Sequence, residues 1–184
     1  MRITKEAVIQ AASDIADRDG LNMVSLKAVA EKLNIRTPSL YNHISSLDNL
    51  FLEVAHNGMK VMNSQMTQAA VGKSGDAAIK SVSVAYLKYM ITHPGIYEAI
   101  QWANWHKNSE TIAIYENYQE LLTKLILSCD FKTQNNDEIL RLLMSTLHGY
   151  STLELENALL NPEEAIKGLI NTMEIVMLGL HAKY

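Results

Sequence analysis

The chain has 184 residues, of which 48% are hydrophobic and 20% are charged, a composition that is ordinary for a globular protein with an apolar core. A single cysteine excludes an internal disulfide, and no apolar run approaches the roughly 20 residues of a membrane span, so we expect a soluble cytoplasmic protein. The net charge of −4 argues against unspecific coating of nucleic acid, although residues 1–50 are balanced and the excess acidity lies in residues 51–184.

The first half of the chain carries clear signals for short helices. Only three prolines and eight glycines interrupt the whole sequence, which favours helices over a many-stranded sheet. Helical spacing of apolar residues begins after Thr4, an expected N-cap, and ends at Gly20. A second helix is expected after Ser25 and stops at Asn34, because asparagine tolerates the positive φ of a sharp turn. The Thr-Pro pair at 37–38 then begins a short helix.

Longer helices are expected in the rest of the chain, where we find no repeat, low-complexity tract or hairpin signal. Their apolar residues recur at helical spacing near residues 47–70, 75–93, 108–129, 137–160 and 162–184, with a short piece around 95–104. The predicted fold is therefore all-α with about nine helices. It comprises an N-terminal three-helix domain with a helix-turn-helix and a C-terminal helical bundle.

The segment from Ser25 to Ile44 has the spacing of a helix-turn-helix. A helix of about eight residues is followed by a turn of three or four residues and a second short helix. That second helix opens with small polar residues, which would let it sit deep in a major groove and offer donors and acceptors to bases and phosphates. On spacing alone, an αα-turn in a helical bundle that never touches DNA explains the pattern too.

The stretch VSLKAVAEKLNIRTPSLYNHISSLDNLFLEVA resembles the DNA-binding domain of the tetracycline-repressor (TetR) family. The positions that fit the family pattern are Ala30, Leu33, Leu40, Tyr41, His43 and Leu50. The resemblance implies a DNA-binding domain over residues 1–46 and an effector-binding and dimerisation domain over residues 47–184. Three positions depart from the pattern: Asn34 replaces a glycine, Ile44 replaces a phenylalanine, and Leu47 replaces a lysine that meets a backbone phosphate.

Carried over residue by residue, the resemblance implies a DNA-binding set around the turn. Lys27 would contact a phosphate, and Arg36 would contact a base or a phosphate. The side chains that would face the groove are Thr37, Ser39 and Asn42. The full predicted set is Ser25, Lys27, Arg36, Thr37, Pro38, Ser39, Tyr41, Asn42 and His43.

Two members of this set have a structural alternative. Tyr41 and His43 would meet the DNA backbone if the resemblance holds. Tyr41 would instead be partly buried if it packed against the first helix. The charge of His43 would instead stabilise a helix C-terminus.

Aromatic residues cluster between positions 86 and 118. Ligand pockets inside helical bundles are typically apolar with a few convergent polar groups, and tyrosine and tryptophan supply both. The predicted lining of a pocket for a small apolar or aromatic effector is Tyr86, Tyr89, Trp102, Trp105, Tyr115, Tyr118 and His148. The alternative for each aromatic residue is that it packs in the core and binds no ligand. The alternative for His148 is that it is a core histidine whose ring nitrogens are hydrogen-bonded within the protein.

The last two predicted helices each carry an apolar stripe, and no further helix remains to cover the second one. This favours a four-helix interface with a second copy of the chain. The residues predicted to form it are Leu142, Tyr150, Leu153, Leu169, Met173, Val176 and Leu180. The alternative is that both stripes pack only on their own chain.

Together these interpretations predict a transcription regulator of the TetR type. We expect a homodimeric repressor that binds a near-palindromic operator in double-stranded DNA and is released by a small molecule, with no membrane partner. Two alternatives remain: a regulator controlled by a protein partner, and a small helical enzyme or ligand carrier with an architectural helix-turn-helix. Candidate catalytic groups for that enzyme would be His106, Glu110 and His148.

Sequence motifs for catalysis or metal binding are not present. The chain has no His-Glu-x-x-His, no paired cysteines and no Gly-x-Ser-x-Gly. The sequence Gly-Lys-Ser at 72–74 imitates a P-loop, but Thr67 stands where the first glycine belongs, and no strand precedes it. We therefore expect no enzyme activity, no cofactor and no metal site.

Overall fold

The computed structural model describes residues 3–106, 108–133, 135–157 and 162–184. These residues form eight α-helices and two 3-10 helices without a strand, which confirms the predicted all-α class. None of these described helices is both long and apolar enough to cross a membrane. The α-helices are α1 (Lys5–Asp19), α2 (Leu26–Lys32), α3 (Leu47–Ala70), α4 (Gly75–Thr92), α5 (Pro94–Trp105), α6 (Ser109–Leu127), α7 (Asn136–Asn157) and α8 (Pro162–Lys183), and the 3-10 helices are Leu21–Met23 and Thr37–Asn42.

The chain folds as two compact units, each built from two separate stretches of sequence. Unit 1 comprises residues 1–60 and 93–114, and unit 2 comprises residues 61–92 and 115–184. The division therefore falls inside α3 and inside α6. The functional boundary predicted between residues 46 and 47 coincides with the start of α3 and does not follow this packing, so it remains a prediction.

Local capping residues begin α1 and α2 where the sequence predicts them. The hydroxyl of Thr4 accepts a hydrogen bond from the backbone N–H of Ala7 at 3.2 Å. The hydroxyl of Ser25 likewise accepts from the N–H of Ala28 at 3.1 Å. Each bond satisfies a backbone donor that the first turn of a helix leaves free, which confirms both predicted N-caps.

Within unit 1, α5 touches α1 through a glycine. A Cβ atom added to Gly95 would lie 2.0 Å from the carbonyl carbon and oxygen of Ala16, so no side chain fits there. The adjacent Asp17 accepts a hydrogen bond from the N–H of Ile96 at 3.0 Å, and its other oxygen lies 2.7 Å from Nδ1 of His93. The Asp17 carboxylate therefore caps the first turn of α5. It does so beside the place where the backbones of α1 and α5 are in contact.

A buried histidine joins α3 to α6 inside unit 1. His56 is 3% exposed, and its Nε2 lies 2.7 Å from Oγ1 of Thr111. Its Nδ1 lies 3.5 Å from Oε2 of Glu110, and Lys60 donates a hydrogen bond to the other carboxylate oxygen, Oε1, at 3.1 Å. Burial lowers the pKa of His56, and the negative charge of Glu110 opposes that shift.

We expect the stability of the protein to depend on pH through His56. Because the folded-state pKa is lower than the unfolded-state value near 6.5, the unfolded chain binds more protons as the pH falls below that value. The contribution of His56 is therefore fully present above about pH 6.5 and is lost as the pH falls through the folded-state pKa. Urea unfolding at about pH 7.5 and about pH 5.5 should show a smaller loss of stability in His56→Gln than in the unchanged protein. An equal loss in both proteins would contradict this origin of the pH dependence.

Unit 2 is a bundle in which α4 packs on both α7 and α8, and α7 and α8 pack on each other. The ammonium of Lys80 on α4 pairs with Glu174 on α8 at 3.1 Å. The core is aliphatic and rich in methionine. Its fully buried side chains include Ile79, Leu87, Met90, Leu122, Ile126, Ile139, Leu143, Leu147, Leu169 and Met173.

Candidate DNA-binding surface and effector pocket

The turn of the helix-turn-helix is closed by a residue in the left-handed region. Asn34 has a φ of 53°, and the N–H of the following Ile35 donates to the carbonyl oxygen of Ala30 at 3.0 Å. This hydrogen bond satisfies one of the last carbonyls of α2 and ends the helix. The conformation predicted for Asn34 is confirmed.

The second helix of the motif is the 3-10 helix Thr37–Asn42, in which Pro38 occupies the first turn. Helices of this length commonly form i to i+3 hydrogen bonds. Proline is tolerated at the start because the backbone N–H that it lacks has no acceptor within the first turn. Leu40 is 0% exposed and Ile44 is 3% exposed. These two side chains anchor the segment to the core of unit 1, and the N–H of Ile44 donates to the carbonyl of Leu40 at 3.1 Å.

Most of the predicted DNA-binding side chains are exposed. Tyr41 is 57% exposed, which favours contact with an external partner over burial against α1. Lys27 forms only a 3.9 Å ion pair with Glu31 at the surface, so its ammonium is accessible to a phosphate. The exposed members are Lys27, Arg36, Pro38, Ser39, Tyr41 and Asn42, and the half-buried members are Ser25, Thr37 and His43.

Three of the predicted effector residues are buried tyrosines of unit 2. Tyr86 is 6% exposed, Tyr89 is 3% exposed and Tyr118 is 5% exposed. The rings of Tyr86 and Tyr118 stack with their centroids 5.9 Å apart. Burial raises the pKa of the Tyr118 phenol well above its ordinary value. These rings are packed as core residues are.

Both predicted tryptophans belong to unit 1. The ring of Trp102 contacts the ring of Phe51 on α3 edge to face, with the ring centroids 5.4 Å apart. It also stacks on the ring of His106, with the centroids 3.9 Å apart. Trp105 is 86% exposed. The structure therefore divides the predicted effector set between the two units and gives its members different environments.

Unit 2 contains an open pocket of about 510 Å³ lined by α6 and α7. It brings Tyr115 and His148 of the predicted set together with residues that sequence analysis missed. On α7 the polar lining residues recur every three or four positions, and this stripe is the signal in the sequence that would have revealed the pocket. The missed residues are Gln119, Asp137, Leu140, Arg141, Met144 and Ser145.

The predicted dimer residues differ in their accessibility. Leu169 and Met173 are 0% exposed and Leu180 is 4% exposed, so these three belong to the core of unit 2. A side chain that contacts another subunit must be accessible in the free subunit, so these three cannot form the contact surface. Leu142 and Leu153 are 44% and 59% exposed and meet this condition.

The remaining two predicted dimer residues are half-buried. The hydroxyl of Tyr150 donates to the carbonyl oxygen of Ala165 at 2.8 Å and so ties α7 to α8 within the chain. Val176 lines a groove of about 520 Å³ between α7 and α8. The most exposed apolar side chains of α8 are two that the sequence analysis missed, Ile175 at 72% and Leu178 at 71%.

Sequence comparisons identify the family. A family model described as "Tetracyclin repressor-like, C-terminal domain" matches residues 79–173, just over half of the chain. The chain is 32% identical over 179 residues to the "Uncharacterized HTH-type transcriptional regulator YobS" of Bacillus subtilis, with 97% of this chain and 93% of that protein covered. The chain belongs to the TetR family. It is a DNA-binding transcriptional regulator with a helix-turn-helix.

Solved structures, including two of TetR regulators, have the same fold as this TetR-family chain. A protein of unknown function from Rhodococcus sp. RHA1 superposes with a TM-score of 0.82 at 16% identity, covering 98% of this chain and 97% of that one. SCO7222, a TetR protein from Streptomyces coelicolor, gives a TM-score of 0.76 at 15% identity, with 98% and 99% covered. PfmR, a TetR-family transcriptional regulator from Thermus thermophilus, gives 0.72 at 16% identity, with 94% and 98% covered.

Proposed function

We propose that this TetR-family regulator is a homodimeric repressor that acts in the cytoplasm without a catalytic step. It binds a near-palindromic operator and leaves it when a small molecule binds. The observation that carries the proposal is the 3-10 helix Thr37–Asn42, whose exposed polar side chains are held by the buried anchors Leu40 and Ile44. A polar surface held in this way suits contact with base edges in a major groove.

We propose different roles for the two kinds of exposed side chain at this surface. Ser39 and Asn42 offer donors and acceptors that distinguish bases. Lys27 and Arg36 supply positive charge for phosphates, which contributes to affinity for every sequence and makes binding sensitive to salt. The DNA-binding segment needs only this local basic edge, because residues 1–50 carry no net charge that would repel DNA.

The role of each side chain is tested by alanine substitution and binding to DNA taken from upstream of the protein's own gene. Asn42→Ala should reduce the preference for this DNA over a scrambled duplex by about 1–3 kcal/mol, because a base contact is lost. Lys27→Ala should weaken binding to both duplexes alike and lower the salt slope by about one unit. Fluorescence anisotropy over a range of salt concentrations measures both effects.

Lys124→Ala is the matched control, because it removes one exposed lysine from unit 2. It should leave both the affinity and the salt slope unchanged. The assigned roles are contradicted if Lys27→Ala changes base preference while Asn42→Ala does not.

We propose that a second copy of the chain covers the apolar face of α7 and α8. This face carries four exposed apolar side chains, Leu142 and Leu153 on α7 and Ile175 and Leu178 on α8, and apolar area is costly to leave in water. A near-palindromic operator requires two recognition segments related by a two-fold axis, and a symmetric contact through this face supplies them.

We propose that the effector binds in the pocket lined by α6 and α7 and acts on the DNA-binding surface through α3. That helix begins at Leu47, directly after the recognition segment, and runs without interruption to Ala70. A ligand that shifts α3 would change the spacing of the two recognition segments, and two half-sites tolerate little change in spacing. Linkage requires the operator to lower ligand affinity by the same factor by which the ligand lowers operator affinity.

A further inference from the structure

Two opposite charges line the pocket of α6 and α7 without a partner in the described part of the chain. Asp137 and Arg141 lie four residues apart on α7, which places them one turn apart on one face, about 6 Å along the helix axis. Acid and base side chains at this spacing often pair, as Glu120 and Lys124 do on α6 at 2.6 Å. Both side chains are exposed to solvent, and neither Asp137 nor Arg141 forms an ion pair or a side-chain hydrogen bond with any residue that the structure describes.

The other lining residues provide an apolar floor and neutral hydrogen-bonding groups. Leu140 and Met144 lie on α7 between the polar positions, and the ring of Tyr115, which is 36% exposed, comes from α6. Burial raises the pKa of the Tyr115 phenol, so the hydroxyl keeps its proton at neutral pH. Gln119, Ser145 and His148 add an amide, a hydroxyl and an imidazole. The pocket thus combines one positive charge, one negative charge and a surface for a small hydrocarbon or aromatic group.

The charges decide which ligand class fits this pocket. A purely apolar ligand would displace water from both charged side chains without offering either one a hydrogen bond or an ion pair. Such desolvation is costly. An organic anion would pair with Arg141 but be repelled by Asp137. An organic cation would pair with Asp137 but be repelled by Arg141. Only a ligand that carries both charges satisfies both side chains, and guanidinium is well suited to a carboxylate because it can donate two parallel hydrogen bonds.

We propose that this pocket binds a zwitterionic small molecule of the amino-acid type, with its carboxylate on Arg141 and its ammonium on Asp137. The ligand's side chain lies on Leu140, Met144 and the ring of Tyr115. This inference names the class of the effector and rests on the ligand-responsive repression proposed above. It replaces the apolar or aromatic effector that the sequence predicts.

Matched probes test the charge requirement on the full chain. Isothermal titration would compare the twenty common amino acids with their deaminated acids and decarboxylated amines, for example phenylalanine, 3-phenylpropanoate and 2-phenylethylamine. At least one amino acid should bind about tenfold or more tightly than both of its single-charge counterparts, because each lost ionic contact weakens binding. The proposal is overturned if no amino acid binds, or if the acid alone or the amine alone binds as tightly as the amino acid.

Two charge-removing variants assign the contacts. Arg141→Gln should weaken the amino acid about tenfold or more and abolish its advantage over the amine. Asp137→Asn should abolish its advantage over the acid. Glu120→Gln and Lys124→Gln remove a neighbouring acid and base on α6 outside the pocket, and they should leave binding unchanged. Equal effects of all four variants would overturn the assignment.

Arg141 and Ser145 also line the groove beside the apolar face of α7 and α8. Arg141 could therefore serve the contact between subunits instead of a ligand. Light scattering of Arg141→Gln separates the two roles, and dissociation to monomers without any change in amino-acid binding overturns the proposed site.

Operator binding in the presence of the amino acid separates this inference from the proposed function. Binding of the amino acid with unchanged operator affinity would support the ligand site and overturn its part in repression. Release from the operator by another molecule, unaffected by Arg141→Gln and Asp137→Asn, would support the repressor and overturn the zwitterion site.

Discussion

Gly95→Ala is expected to destabilise the protein by about 3 kcal/mol or more. The added methyl group would lie 2.0 Å from the carbonyl carbon and oxygen of Ala16. The obstacle is backbone in the last turn of α1, which no side-chain rotation can move aside. Relief would require α5 to move away from α1, and that movement would break the hydrogen bond between Asp17 and the N–H of Ile96. Urea unfolding at a fixed protein concentration measures the loss.

Gly149→Ala is the matched control for this prediction. Gly149 lies inside α7, and a Cβ atom there would have no neighbour within 4 Å. Alanine is a better helix former than glycine, so this variant should be unchanged or more stable by up to about 1 kcal/mol. If both glycine variants are equally stable, the close contact between α1 and α5 does not exist in solution.

Leu178→Glu is expected to convert the proposed dimer into monomers of 20.6 kDa at micromolar concentration. Leu178 is 71% exposed in the single chain, so the fold accepts a carboxylate there. In a subunit contact the same carboxylate would be buried without a partner, which is costly. Operator affinity should fall by more than about tenfold, because each monomer contacts only one half-site. Light scattering and anisotropy measure the two effects.

Two further glutamate variants make this prediction specific to the face of α7 and α8. Val71→Glu places the same charge at a 65% exposed residue between α3 and α4, and it should leave the dimer intact. Leu169→Glu should unfold the chain, because Leu169 is 0% exposed. A dimer that survives Leu178→Glu and Ile175→Glu would exclude this face as the contact.

The sequence predicted the features of unit 1 that depend on near neighbours along the chain. The caps at Thr4 and Ser25 and the positive φ of Asn34 each follow from the chemistry of one residue and a partner within five positions. The family resemblance identified the helix-turn-helix for the same reason, because its pattern is local. The hydrogen bonds that join α1 to α5, in contrast, link residues more than 70 positions apart and leave no periodic signal.

The sequence could not decide which apolar stripe of α8 faces the core. Leu169 and Met173 form one stripe, and Ile175 and Leu178 form another. Both have helical spacing, and only the packing of α8 on α4 buries the first and leaves the second accessible. The pocket lined by α6 and α7 was not predicted, because the predicted effector site was based on aromatic residues, whereas Arg141 and Asp137 belong to a polar stripe.

The two-part construction of unit 1 limits how this regulator can be recombined with others. Its helix-turn-helix shares a compact unit with residues 93–114, which follow in the chain only after α4. A chimera joined at residue 46 would pair the donor's α1 with a foreign α5, which lacks the glycine contact at Ala16 and the partner for Asp17 unless both happen to be matched. A change of operator specificity by domain exchange therefore has to transplant α1 and α5 together, whereas exchange of the six residues Thr37–Asn42 alone leaves that packing intact.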